Sequence, residues 1–366
     1  MPTHLKLLLG LAAASTSANE HLTDVQLTNV MPAGAASIDC RTPPCKYAAF
    51  RIPGLVALPP HTLLAFAEGR KFGCGDFQGQ HDMIMRRSTD DGQTWGPLRT
   101  IVDALEAEFW RGISVSTHNA VWDPTPVHDA ATGRTWLFFN GPGRRGSDPQ
   151  ATYAMHTDDG GTSWSVPLNM SASCQQPGHV AATRLNGASP TDGHGVQLSS
   201  GRLIIPMYAG SPPGAYMCYS DDHGASWHAA STVYGARSWT EMEVAEVQPA
   251  TRPPTLYMTI RYDTSRPHRQ YATSADGGET WSDAQPMECG PSGAVCPDPN
   301  CKVTCNFLGH RASNMHSTAP PKPSLWPIML PLSDERSSPF CADRARWCPG
   351  QTRALFSQTL RARPRA

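Results

Sequence analysis

The sequence predicts an all-β fold assembled from repeats of one small antiparallel sheet, and three observations predict it. A turn of the pattern Ser/Thr-x-Asp-x-Gly-x-Thr/Ser-Trp recurs four times, as STDDGQTW, TDDGGTSW, SDDHGASW and SADGGETW, ending at Trp95, Trp164, Trp227 and Trp281. These tryptophans stand 69, 63 and 54 residues apart, too regular for chance and too long for a helix-pair solenoid. Short alternating apolar segments precede each turn, and 34 Pro with 31 Gly favour many brief strands over long helices. A β-propeller of four-stranded blades is the architecture that repeats such a unit.

Taken in order, strands are expected at 49–58, 62–68 and 82–88 before the first turn, and at 120–122, 135–140 and 151–157 before the second. The third unit offers 195–198, 203–208 and 216–220, and the fourth 243–248, 256–262 and 270–274. Each unit then leaves through a polar or Pro-containing exit, which places the turn between the outer two strands of a blade. The turn has a physical reason. Its Asp caps backbone amides, its Gly takes a positive φ and its Trp covers the apolar face of the blade. Asp90, Asp159, Asp222 and Asp276 are therefore structural.

Residues 1–18 read as a secretory signal, with His4 and Lys6 ahead of LLLGLAAA and a small-residue end at Ala18. That apolar run is too short to span a membrane. Residues 19–45 form a polar lead-in without periodicity, 46–303 the propeller, and 304–366 a divergent tail rich in Pro, Ser and Arg. Two further blades of ~40 to 50 residues would need ~80 to 100, and 63 remain after residue 303. Either the ring has fewer than six blades or the tail is a displaced or wrongly translated end.

Net charge is −1 with a pI near 6.9, which excludes a nucleic-acid surface and leaves an acidic ligand to local arginines. Eleven cysteines fit an oxidising compartment. Cys40 and Cys45 are close enough to close a small loop. Cys289, Cys296, Cys301 and Cys305 crowd together, with spacings of 7, 5 and 4 that do not match a zinc-binding pair of CxxC motifs. Asn169-Met170-Ser171 is a glycosylation acceptor in a secreted chain.

The strings FRIP at 50–53, LLAFAEGR at 63–70, GHGVQL with GRLIIPMY, and TEMEVAEV followed by IRY, together with the four turns, resemble the exo-α-sialidases (neuraminidases) over residues 46–303. The resemblance implies a six-bladed propeller that hydrolyses terminal sialic acid from glycoproteins, glycolipids and oligosaccharides with retention. It implies no cofactor and no metal. Sialylated glycans would be the partners, in the secretory pathway, outside the cell or in lysosomes.

Such a site must grip a carboxylate, and a planar guanidinium fork suits both oxygens. By resemblance Arg51 and Arg261 are two members of an arginine triad, and Arg70 is a further arginine near the substrate. Asp76 corresponds to the acid/base that protonates the leaving oxygen and later activates water. Asp82 is its rival, expected to face solvent because it opens the alternating strand DMIMRR. Glu241 corresponds to the base that activates the nucleophile. Glu243 stands where the family has glutamine, on the same strand face as Glu241, and is expected to raise the pKa of Glu241 by repulsion. Glu246 is expected to have a structural or arginine-positioning role. Trp122 or Asp123, in a Trp-Asp-Pro-Thr-Pro run where the family often has Asn-Pro-x-Pro, and Tyr208 are expected at the substrate rim.

Sialidases use a tyrosine nucleophile. None follows Tyr271 here, and no later arginine sits in a matching context, so the nucleophile and the third arginine stay unassigned. Two alternatives follow: a catalytically impaired glycan-binding propeller lacking the nucleophilic Tyr, and a non-catalytic propeller for protein interaction. The intact FRIP and TEMEVAEV strings argue against the second.

Overall fold

The computed structural model of the chain describes residues 4–10, 25–41, 43–76, 79–106, 120–141, 151–175, 189–210, 213–233, 241–247, 255–261, 268–289 and 294–295. The tail expected at 304–366 lies outside the described residues, as do Cys296, Cys301 and Cys305.

The repeat pattern folds into four antiparallel sheets. The first blade is β3 (Ala49–Leu58), β4 (Thr62–Arg70), β5 (His81–Ser88) and β6 (Arg99–Val102), hydrogen-bonded in that order. It follows a hairpin of β1 (His4–Gly10) and β2 (Val25–Pro32). The second is β7 (Trp122–His128), β8 (Thr135–Gly141), β9 (Ala151–Thr157) and β10 (Leu168–Asn169), followed by the short helix α1 (Ser171–Cys174). In the third, β11 (Ser189–Pro190) and β12 (Val196–Gln197) both pair with β13 (Leu203–Gly210), which is followed by β14 (Pro213–Ser220) and β15 (His228–Ala229). The fourth is β16 (Met242–Val247), β17 (Thr255–Ile260), β18 (Gln270–Ser274) and β19 (Gln285–Pro286), with a two-stranded pair, β20 (Glu288–Cys289) and β21 (Ala294–Val295), beyond it.

Some strand expectations shift. The segment expected at 120–122 runs instead from Trp122 to His128, through two prolines. Within its sheet β7 pairs only with β8, so its other edge needs no ladder donor and tolerates Pro124 and Pro126. The fourth strand of each blade is only two to four residues long and gives no alternation to read. The lead-in is not loose either. Val30 and Met31 of β2 are buried with Tyr47 and Phe50 against the first blade.

The boxes lock the blades together, and they do so by one repeated geometry. Gly92 N and Gly224 N each donate 2.8 Å to the opening serine of their box, Ser88 and Ser220. The fourth and fifth box positions are left-handed in all four copies: Asp91 and Gly92, Gly160 and Gly161, His223 and Gly224, Gly277 and Gly278. The turned-out fourth position meets the preceding blade. Arg87 Nε donates to Gly160 O at 2.7 Å, Asp129 Oδ2 lies 2.8 Å from His223 Nδ1, and Arg202 Nη1 donates to Gly277 O at 3.0 Å. The box tryptophans pack the same way: Trp164 meets Phe66 edge-on at 5.8 Å, and Trp227 meets Phe138 at 4.7 Å. Apolar clusters fill each gap, between blades one and two, two and three, and three and four.

Two disulfides are formed among the described residues. Cys40–Cys45 closes the expected small loop, and Cys174–Cys218 ties α1 to β14.

Candidate active site

The start of each blade's first strand and the end of its second share one end of the sheets. Ala49 pairs with Arg70, Trp122 with Asn140, Ser189 with Tyr208 and Met242 with Ile260. This register gathers charged residues from four blades.

Two of the first strands are bent there in the same manner. The ladder shifts between Arg51 and Gly54 and between Trp122 and Thr125. Within each shift a residue preceding proline takes a positive φ: Ile52 at 54° and Asp123 at 56°. A β-branched residue in the left-handed region is strained, and such strain gathers where a side chain must be re-aimed. Gly54 lets the first strand lie against the second blade, since a Cβ there would come within 2.9 Å of Pro124 O.

Arg51 and Arg70 converge on Asp76, Nη1 to Oδ1, at 2.6 and 2.9 Å. Both also donate to the Cys74 carbonyl, which fixes the loop that carries Asp76. Arg51 and Asp76 keep 34% and 26% of their side chains exposed while Arg70 keeps 1%, so the first two form the accessible face and Arg70 the layer beneath. Arg70 is held by Glu68, with Nε 3.0 Å and Nη2 2.6 Å from Oε2. Burial opposes the Arg70 charge, but Glu68 and Asp76 outweigh it and hold its pKa up. Burial likewise pushes the Glu68 carboxyl above the usual range against the pull of Arg70. Trp122 covers this pair rather than an open rim: the Arg70 guanidinium lies 5.7 Å from its ring centre, and His81 packs edge-on at 4.4 Å. His81 is driven down to about 3 by burial and then by Arg70, so it is neutral.

On the other side of the site, Arg261 Nη1 donates to Glu241 Oε1, and their backbones are bonded, Arg261 N to Glu241 O, at 2.9 Å. Between the two halves stands Asp123. Its amide donates to Glu68 Oε1 at 3.2 Å, and its Oδ2 accepts from Asn140 Nδ2 at 3.0 Å and from the Tyr208 hydroxyl at 3.4 Å. Burial pushes the Tyr208 phenol well above its ordinary value.

Asp82 does not face solvent, contrary to expectation. It is fully buried and 2.9 Å from Lys71 Nζ, and its Oδ2 accepts from Tyr47 at 2.9 Å. The strand period would turn it outward, but Tyr47, Lys71, Gln80 and the Ala104 amide, which donates to Oδ1 at 3.0 Å, close over it. Its carboxyl anchors the base of the Asp76 loop through Lys71 and Gln80. Glu243 is also fully buried, with Oε2 3.4 Å from His194 Nδ1. Glu246 is structural: it accepts from Ser199 N at 2.9 Å and Ser199 Oγ at 2.7 Å on the third blade. The sequence reading missed Glu68 and Asn140. Glu68 stood in the AEGR string, two residues from Arg70 and hence on its face.

The result is an accessible guanidinium and carboxyl over buried, mutually neutralising groups, which can bind an anion and exchange a proton with it. Among the described residues no cluster of His, Cys, Asp and Glu has the arrangement of a metal site.

Residues 61–321 match the model of the BNR repeat-like domain. Sialidase-3 of Bos taurus is 33% identical over 256 residues, covering 63% of this chain and 56% of its own. A sialidase of Bacteroides fragilis is 32% identical over 282 residues, covering 72% and 48%. The structure of the Hadza microbial sialidase Hz136 superposes with a TM-score of 0.53 at 29% identity, over 65% of this chain and 46% of that one. A propeller of repeated Asp-turn blades with an arginine and carboxylate site defines the class, and the chain belongs to the BNR repeat-like domain family. It spans about half the length of the curated relatives it matches.

Proposed function

We propose that this site binds a terminal sialic acid and hydrolyses its glycosidic bond with retention, with sialylated glycoproteins, glycolipids and oligosaccharides as substrates. The observation that carries the reading is that Arg51, Arg70 and Asp76 of the first blade and Glu241 and Arg261 of the fourth lie at the same end of the sheets, each group hydrogen-bonded within itself. Arg51 and Arg261 receive the sugar carboxylate, Asp76 protonates the departing oxygen, and Glu241 is the base beside the nucleophile. Release of free sialic acid from a fluorogenic sialoside tests the reading, and no release by the chain at any pH defeats it.

One observation favours a second reading, binding without turnover. The phenol that meets Asp123 belongs to Tyr208, and its surroundings keep it protonated, the opposite of what a nucleophile needs. A chain that binds an uncleavable sialic acid analogue and releases nothing from the sialoside fits that reading.

The secretory route is supported by the Cys40–Cys45 and Cys174–Cys218 disulfides. Asn169 is exposed at the edge strand β10, open to glycosylation. A mature N-terminus after Ala18 and a glycan on Asn169, both read by mass spectrometry of secreted protein, check this route.

A further inference from the structure

Asp123 is where the second blade meets Glu68 of the first and Tyr208 of the third. Its left-handed backbone, φ 56° ahead of Pro124, narrows the residue type here, because Asn and Asp are the side-chain-bearing residues that best tolerate this region. The chain has the carboxyl where the amide would also fit. One oxygen of that carboxyl, Oδ2, is taken up as acceptor by Asn140 Nδ2 and the Tyr208 hydroxyl. Among the described residues no Lys, Arg or His forms an ion pair with it, and the nearby cations are committed elsewhere: Arg70 to Glu68 and Asp76, Arg51 to Asp76, Arg261 to Glu241.

The largest charge effects on Asp123 come from Glu68 on β4, Asp192 after β11 and Glu241 before β16, all acids, with Arg70 and Arg261 standing behind the first and the last as their ion-pair partners. Burial first, and then these charges, carry its carboxyl well above the ordinary range. An anion here would also repel the carboxylate of an incoming anionic sugar.

We infer that Asp123 serves this site as a neutral acid: Oδ2 accepts from Asn140 and Tyr208, while Oδ1 carries a proton and donates it to an oxygen of the bound sugar. Ionisation of Asp123 then expels the ligand. The sugar in this inference rests on the sialic acid reading above; the protonated carboxyl does not.

The test therefore has two arms on the full chain. The infrared difference between the ligand-free wild type and Asp123→Asn at neutral pH should contain a carboxylic-acid C=O absorption, and its absence overturns the inference. Calorimetric titration with the unsaturated glycal of sialic acid, from acidic to mildly alkaline pH, reads the second arm. Wild-type affinity should fall about tenfold per pH unit once Asp123 ionises. Asp123→Asn should escape that fall and bind about tenfold more tightly than wild type at the alkaline end. Asp123→Ala should bind about tenfold more weakly at the acid end, the worth of one hydrogen bond. An equal fall with pH in wild type and Asp123→Asn overturns the donor role. The absorption without any glycal binding defeats the sialic acid reading and leaves the neutral acid standing.

Discussion

Arg51 Nη1 donates to Asp76 Oδ1 across 2.6 Å, so the guanidinium that should take a ligand carboxylate and the carboxyl that should act as acid/base hold each other. A bound sugar carboxylate competes for Arg51 and leaves Asp76 to Arg70. The two residues should therefore fail differently. Asp76→Asn removes proton transfer but keeps a neutral partner for Arg51, and kcat on a sialoside should drop by about a hundredfold or more. Analogue affinity should stay within about threefold. Arg51→Ala removes a charge-assisted contact worth about 1.5 to 3 kcal/mol and should weaken analogue binding ten- to a hundredfold. Calorimetry beside steady-state kinetics separates the two, and equal losses of affinity would refute the division of labour.

How much of this was legible in the sequence depends on how local each signal is. Arg51, Arg70, Asp76 and Glu241 stand in strings whose residue types alone limit their chemistry. The four turns fix the blade repeat because their Gly and Trp are demanded by backbone conformation and cover. Asp82 was misread because its partners Tyr47 and Lys71 come from outside its strand, and alternation reports a face without saying what covers it. Asn140 was invisible for a similar reason: only the register Trp122 to Asn140 brings the end of β8 beside Asp123. Strands of two residues, such as β10 and β19, have no period to detect.

The left-handed glycines should divide by what lies in front of them. Gly224 is at φ 90°, and a Cβ there would stand 2.4 Å from the Trp136 ring. Gly133, at φ 78° in the β7–β8 turn, faces open space. Gly133→Ala should cost only the left-handed backbone, about 1 to 2 kcal/mol. Gly224→Ala adds a clash inside the seam between the second and third blades and should cost about 1 to 3 kcal/mol more. Thermal unfolding ranks the two, and equal losses would mean that the seam yields freely.

Acid stability should follow the box carboxylates. The Thr94 hydroxyl, then the Thr94 amide and Ser88, hold Asp90 down at about 2, and the Ser226 hydroxyl and amide do the same for Asp222. A carboxyl lowered in the folded state adds stability that is complete above its unfolded value near 3.8 and is lost as pH falls towards about 2. Asp222→Asn should lower the melting temperature near neutral pH and flatten the decline between those two values. A decline of unchanged steepness in the variant would show that Asp222 does not contribute to it.

Cys174 and Cys218 are both fully buried, and their bond joins residues 44 apart across α1 and β14. Loop-closure entropy for a span of that order is worth about 4 kcal/mol in the unfolded chain. Because neither sulfur meets solvent in the folded protein, a reductant should reach this bond only through unfolding. Thiol trapping with mild reductant should label neither cysteine below the melting transition, whereas Cys174→Ser with Cys218→Ser should lower that transition by several degrees. Prompt labelling of both in the native protein would place the bond outside the cooperative core, and an unchanged transition in the double variant would show that the bond does not stabilise the fold.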